Sequence, residues 1–170
     1  LMTEVAGEVA DGYFIHPFNS EISMDTLSLP SLERGLSKAG KSRADCEVSA
    51  QVIVATGLDE ERYEAAVSSA RNQIAFYGST PAYRGVLELH GWGDLADELH
   101  SMSKQGRWAE MGEAIDDEVL GTFAVVAEPS GVASGLKARY GDVVDRINFY
   151  APVVDDPETW GPVMEDLSRA

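Results

Sequence analysis

The segment from Val48 to Ala55, VSAQVIVA, constrains this chain more than any other stretch. It is β-branched and almost continuously apolar, which is the pattern of a strand covered on both faces, and such strands belong to parallel sheets. Parallel neighbours need crossover connections on the sheet faces, so helices must alternate with strands before and after it. Thr56-Gly57 ends the run.

That alternation can be read along the chain. Met2, Val5, Ala6 and Val9 sit at i, i+3, i+4 and i+7, a helical stripe with no strand before it, so the chain opens in mid-unit. Tyr13-Phe14-Ile15 reads as a short buried strand stopped by Pro17. Leu29, Leu32, Leu36 and Ala39 form a helical face, with Pro30 early and Gly40 past its end. A long helix is expected from about Asp59 to Phe76, with Tyr63, Ala66, Val67, Ala70 and Ile74 on one face. The helical pattern persists from Pro81 to about Leu120, with Leu95, Leu99 and Met102 on one stripe and Trp108, Met111 and Ile115 on another, separated by Gly106. Phe123 to Val126 reads as extended, and a helix capped by Ser130 carries Val132, Leu136 and Tyr140. Ile147 to Tyr150 is the last strand candidate. The closing helix has Asp156 as N-cap, Pro157 first, and Trp160, Val163, Met164 and Leu167 on one face.

Composition enters chiefly through what it excludes. The 29 acidic residues against 13 Lys and Arg give a net charge of -16. That argues against a nucleic-acid partner or an anionic membrane surface, both of which are held by clustered cations. Cys46 is the single cysteine, so neither an intrachain disulfide nor a cysteine zinc site is available, and no apolar run approaches the roughly 20 residues of a membrane span. The expectation is a soluble, cytoplasmic protein. At 170 residues the chain is short of the roughly 250 of a full (β/α)8 barrel.

In parallel α/β proteins, ligands sit beyond the carboxyl ends of the strands. That singles out His16-Pro17-Phe18-Asn19, Thr56-Gly57 and Ala151-Pro152. His16 is either a mouth residue that hydrogen-bonds a phosphate or ring carbonyl, or a partly exposed strand-end histidine. Tyr77 to Arg84, YGSTPAYR, has a composition suited to closing over a planar ligand, but it also reads as plain helix punctuation, with Gly78 a C-cap, Thr80 an N-cap and Pro81 a first helical residue. His90 and His100 read as packing or surface residues, the tryptophans as core or interface, Asp116-Asp117-Glu118 as a solvated helix face rather than a metal site, and Cys46 as a buried inert thiol. No residue stands out as catalytic, and no nucleotide or zinc-protease motif occurs.

Longer segments carry a resemblance. MTEVAGEVADGYFIHPF (Met2 to Phe18), QIAFYGSTPAYR (Gln73 to Arg84), HGWGDL (His90 to Leu95), SKQGRW (Ser103 to Trp108) and DDEVLGTFAVVAEP (Asp116 to Pro129) resemble, in order, the luciferase-like oxidoreductases, and within them the deazaflavin (coenzyme F420)-dependent branch. The resemblance implies that residues 1–170 form one partial domain, the C-terminal half of a (β/α)8 TIM barrel. Tyr13 to Ile15 would belong to the sixth strand and the last strand would be the eighth, with Asp59 to Leu120 a helical excursion between the seventh and eighth. It further implies hydride transfer to or from a deazaflavin, with FMN as the alternative cofactor. His16, Pro17 and Phe18 would line the cofactor pocket, and Tyr77, Ser79, Tyr83 and Arg84 the substrate side. Ala127 stands where relatives commonly have glycine, and the upstream strands are absent. Such a chain needs a missing N-terminal half or a second copy to complete it, and a homo-oligomer is expected.

Overall fold

The computed structural model describes residues 1–153 and 156–169. Its centre is β2 (Glu47–Ala55), whose backbone is paired along both edges. β1 (Gly12–Ile15) runs parallel to it from Gly12↔Glu47 to Ile15↔Ala50. β4 (Arg146–Tyr150) is parallel from Ser49↔Arg146 to Ile53↔Tyr150, and β3 (Ala124–Val126) from Ile53↔Ala124 to Ala55↔Val126.

Successive residues of a parallel strand turn their backbone groups to opposite neighbours, so the bonds assign the edges. Glu47 N–H donates to Asp11 O at 2.9 Å and Ala55 O accepts from Ala127 N–H at 3.1 Å, while Val48 O accepts from Asp145 N–H at 2.8 Å. The odd positions therefore face β1 and β3, which lie end to end on one side, and the even positions face β4.

The side chains of β2 divide in the same way, and this builds two cores. Val48, Ala50, Val52 and Val54 pack with Ile15, Leu32, Leu36, Val132, Leu136, Tyr140 and Val163. Ile53 and Ala55 pack on the other face with Phe18, Ile74, Leu99, Met111 and Phe123. The first layer is supplied by α3 (Leu29–Lys38), α8 (Pro129–Tyr140) and α9 (Pro157–Ser168). The second comes from α4 (Glu60–Gly78), α6 (Gly93–Lys104) and α7 (Asp117–Phe123). Full burial of an aliphatic side chain contributes about 1.5–3 kcal/mol, so a strand that buries side chains on both faces anchors both layers.

α1 (Met2–Val9) crosses α3 at two glycines. A methyl group on Gly7 would overlap the Leu32 carbonyl oxygen, and one on Gly35 would overlap the Glu4 carbonyl oxygen. Lys38 pairs with Glu4 and, at 3.3 Å, with Glu8 on the rim of this contact, where solvent screening leaves little energy.

The strands and long helices match the sequence pattern within a residue or two. Four local expectations do not hold. The second stripe of the 81–120 region is broken: Gly106, at φ +74°, closes α6 with its N–H on Ser103 O and the Arg107 N–H on Met102 O, and a 3-10 turn (Met111–Ala114) follows, leaving Trp108 half exposed. Phe123 is the last residue of α7 and not part of β3. The N-cap of α8 is Glu128, with Pro129 first, so Ser130 lies one residue inside, and in α9 Met164 points outward.

The sheet is open among the described residues: β1 and β4 each pair with β2 alone. Beside β1, Leu1, Met2, Val5, Val9 and Phe14 are exposed, Phe14 at 55%. A cavity of about 440 Å³ runs along β4, lined by Ile147, Phe149, Met164 and Leu167 among others.

Gly35→Ala should destabilise the fold by about 1–3 kcal/mol, because the added carbon meets backbone that cannot move aside cheaply, and urea unfolding would measure it. Ala127 has no positive φ, so no glycine is required there. Ala127→Gly is expected to lower stability by about 0.5–1 kcal/mol through the freer unfolded chain.

Candidate functional site

His16 leaves the end of β1 and is fixed by its own loop. Pro17 removes a backbone donor at the turn, the Phe18 N–H donates to His16 Nδ1 at 3.1 Å, and the Asn19 amide donates to His16 O at 2.6 Å. Ser20 then caps α2 (Glu21–Ser23) in a reciprocal capping box with Ser23. Pro17, Phe18, Asn19 and Ser20 are all buried, so the loop is a rigid platform. Phe18 stacks on Phe123 with centroids 4.4 Å apart, which ties it to the core.

The segment after α4 completes the group. Pro81–Tyr83 forms a 3-10 turn that lays the Tyr83 ring on His16 at 4.7 Å and 25°, with Tyr83 Oη 3.0 Å from His16 Nε2. Tyr77, from the last turn of α4, meets the same imidazole edge-on at 4.8 Å. Because Nδ1 accepts from a backbone amide, it carries no proton; the neutral ring then holds its hydrogen on Nε2 and donates to Tyr83 Oη. Burial pushes the His16 imidazole below its ordinary value and the Tyr77 phenol above its own, so the uncharged form is favoured in both. At the end of β4, Tyr150 Oη donates to Gln73 Oε1 at 3.0 Å on the same helix.

His16, Phe18, Tyr77 and Tyr83 are thus gathered in one cluster. Ser79 and Arg84 sit beside it with their polar groups directed elsewhere. The Ser79 hydroxyl donates to Phe76 O at 2.7 Å and its carbonyl accepts from His100 Nδ1, which closes α4. Arg84 is held by Glu88 at 2.7 Å and by both carboxylate oxygens of Asp97. Thr80 is the N-cap of the turn and Pro81 its first residue, as the helix-punctuation reading expects, but Gly78 is the last helical residue of α4 without a left-handed φ and the C-cap is Ser79.

His90 and His100 are half buried: His90 stacks on Trp92 at 4.7 Å and shares a 2.8 Å hydrogen bond with Ser20 Oγ. Asp116 caps α7 and Asp117 pairs with Arg71, and among the described residues no His, Cys, Asp and Glu cluster could hold a metal. Cys46 is free and buried.

Beyond β2 and β3 lies a larger cavity of about 810 Å³, lined by Gly57, Asp59, Tyr63, Glu128, Ser130 and Asp166 among others. Nearby in sequence, the Thr56 hydroxyl is buried without a hydrogen-bond partner. Periodicity gave no sign of an outward pair, Phe76 and Trp108, each half exposed with centroids 6.1 Å apart. They come together only because the chain reverses at Gly106. No helix among the described residues is long and apolar enough to cross a membrane.

Comparison with known proteins decides the family, because the model of the luciferase-like monooxygenase family matches residues 1–146. The chain belongs to the luciferase-like monooxygenase family. It is 54% identical over 146 residues to the uncharacterized protein Rv1360 of Mycobacterium tuberculosis and equally to Mb1395 of Mycobacterium bovis, an alignment covering 86% of this chain and 43% of each relative. It is 29% identical over 157 residues to the 5,10-methylenetetrahydromethanopterin reductase of Archaeoglobus fulgidus, covering 86% of this chain and 41% of that protein. The fold matches the coenzyme F420 dependent tetrahydromethanopterin reductase from Methanopyrus kandleri with a TM-score of 0.71 at 21% identity, over 96% of this chain and 46% of that one. This member of the luciferase-like family therefore spans less than half the length of the relatives it matches.

The depressed His16 value sets a pH dependence. The folded state prefers the neutral ring, so this contribution to stability is complete above the ordinary value of 6.5 and is lost as pH falls through the lower folded value. His90 is shifted in the same direction. The expected result is that His16→Gln flattens, without abolishing, the fall in unfolding midpoint between about pH 7 and pH 5.

Proposed function

We propose that this chain is the carboxyl-terminal half of a (β/α)8 barrel, and that the complete protein transfers hydride between a deazaflavin of the coenzyme F420 type and a small organic substrate. The observation that carries the reading is the gathering of His16, Phe18, Tyr77 and Tyr83 at the carboxyl ends of parallel strands. In this reading β1, β2 and β4 are the sixth, seventh and eighth strands, and Asp59 to Leu120 is the helical excursion between the last two.

The residues fit such a coenzyme in kind. Flat aromatic faces around an uncharged imidazole suit a planar conjugated ring. The cavity at His16 is about 150 Å³, less than the roughly 300 Å³ of a whole ligand pocket, so this chain would grip one edge of the ring. His16, Pro17 and Phe18 would lie against the coenzyme. Tyr77 and Tyr83 would face the substrate, while Ser79 and Arg84 fix the segment that carries them. The bound coenzyme would give or take the hydride; the chain supplies orientation and keeps water out.

The exposed apolar residues beside β1 and the groove along β4 support a partner arc that pairs with both margins. That under half of each relative is matched favours further polypeptide of the same protein as that arc, over a second copy of this chain. The acidic charge and lone buried thiol fit a cytoplasmic setting.

A second reading is an FMN-dependent monooxygenase, whose reaction class, though not its cofactor, matches the family's description. A third is a half that only assembles and binds no cofactor by itself. Titrating each cofactor into the full-length protein and following absorbance separates them. Tighter binding of the deazaflavin is expected; tighter FMN binding reverses the assignment, and binding of neither leaves the assembly role. His16→Ala should weaken the bound cofactor about tenfold, the scale of one hydrogen bond, and unchanged affinity would reduce His16 to packing.

A further inference from the structure

The cavity of about 150 Å³ beside His16 is bounded by His16, Phe18, Asn19, Leu27, Tyr83 and Val86. A cavity of that size holds one benzene-sized ring. Two of its polar groups have unused hydrogen-bonding capacity. Tyr83 Oη accepts from the His16 Nε2–H, so its own O–H hydrogen remains available. Asn19 is 4% exposed, and its Oδ1 has no partner although its amide nitrogen is bound to His16 O. A buried acceptor left unpaired costs free energy, and a ligand donor that reached it would recover that cost.

We infer that this cavity is a subsite for a six-membered ring with a lactam edge, its carbonyl accepting from Tyr83 and its N–H donating to Asn19 Oδ1. His16 is the positioning residue, because its locked tautomer decides which way the Tyr83 hydroxyl proton is free to turn. The inference deepens the oxidoreductase reading by naming the chemistry of the ligand edge. A lactam edge could belong to the coenzyme or to the substrate, and the test separates the two.

The probes are 2-pyridone, a lactam, and benzene, which fills similar space without polar groups. Calorimetric titration of the full-length protein should show 2-pyridone binding about tenfold more tightly than benzene, with Tyr83→Phe removing most of that preference. Equal affinity for both probes, failure of 2-pyridone to bind, or a Tyr83→Phe variant that keeps the full preference would overturn the inference. Selective ¹⁵N-histidine spectra should show His16 protonated at Nε2 and bare at Nδ1; the opposite tautomer would overturn it too. Should Tyr83→Phe fail to fold, magnetisation transfer between 2-pyridone and the Tyr83 ring in the wild type decides, and its absence counts against the site. Displacement of 2-pyridone by the deazaflavin assigns the subsite to the coenzyme, and simultaneous binding assigns it to the substrate. If 2-pyridone binds as described but neither cofactor titrates, the oxidoreductase reading fails while the subsite stands.

Discussion

One strand has to satisfy hydrogen bonds on both edges and bury side chains on both faces, and the rest of the chain is arranged around that requirement. β2 bonds to β1 and β3 along one edge and to β4 along the other, and its alternate side chains seed the two apolar layers. A buried backbone group without a partner is costly, so the neighbours of β2 are obligatory. The helices follow because parallel neighbours can be joined only by crossovers that cover the faces.

The same logic makes the margins of the sheet meaningful. β1 and β4 pair on one side only among the described residues, and apolar side chains lie exposed at both borders. Such an edge is a template for another strand. The aligned segment spans less than half the length of the curated relatives.

At the carboxyl ends of the strands the fold converts packing into chemistry. His16 is held by a backbone amide on one nitrogen and a phenol on the other, in surroundings that disfavour charge. Its polarity is therefore set by the loop, and it in turn sets the orientation of Tyr83. Asn19 and Thr56, buried with an unpaired oxygen each, lie just past β1 and β2, at the end of the sheet where parallel α/β proteins take their ligands.

The strands and the main helices were legible in the sequence, because Val48 to Ala55, the cap at Asp156, and the prolines at Pro81 and Pro157 act through local sterics and hydrogen bonds that neighbours in sequence already specify. His16 and Phe18 could be chosen by their place at a strand end. Less was legible where one backbone bond outweighed a periodic pattern. The stripe that hydrophobic spacing placed on Trp108, Met111 and Ile115 is a turn and a 3-10 segment, and Glu128 took the cap expected of Ser130, the second residue of α8.

What the sequence determined by itself is the alternation of elements and the identity of β2 as a doubly covered strand, since both follow from side-chain period and backbone preference. Tertiary structure alone decided that β3 extends the line of β1 while β4 takes the far edge, that Tyr83, 67 residues from His16, stacks on its ring, and that Ser79 and Arg84 spend their polar groups on helix closure and ion pairs. Those outcomes depend on contacts between distant segments, where burial and hydrogen-bond competition are settled by the whole packed chain and leave no periodic trace in the order of residues.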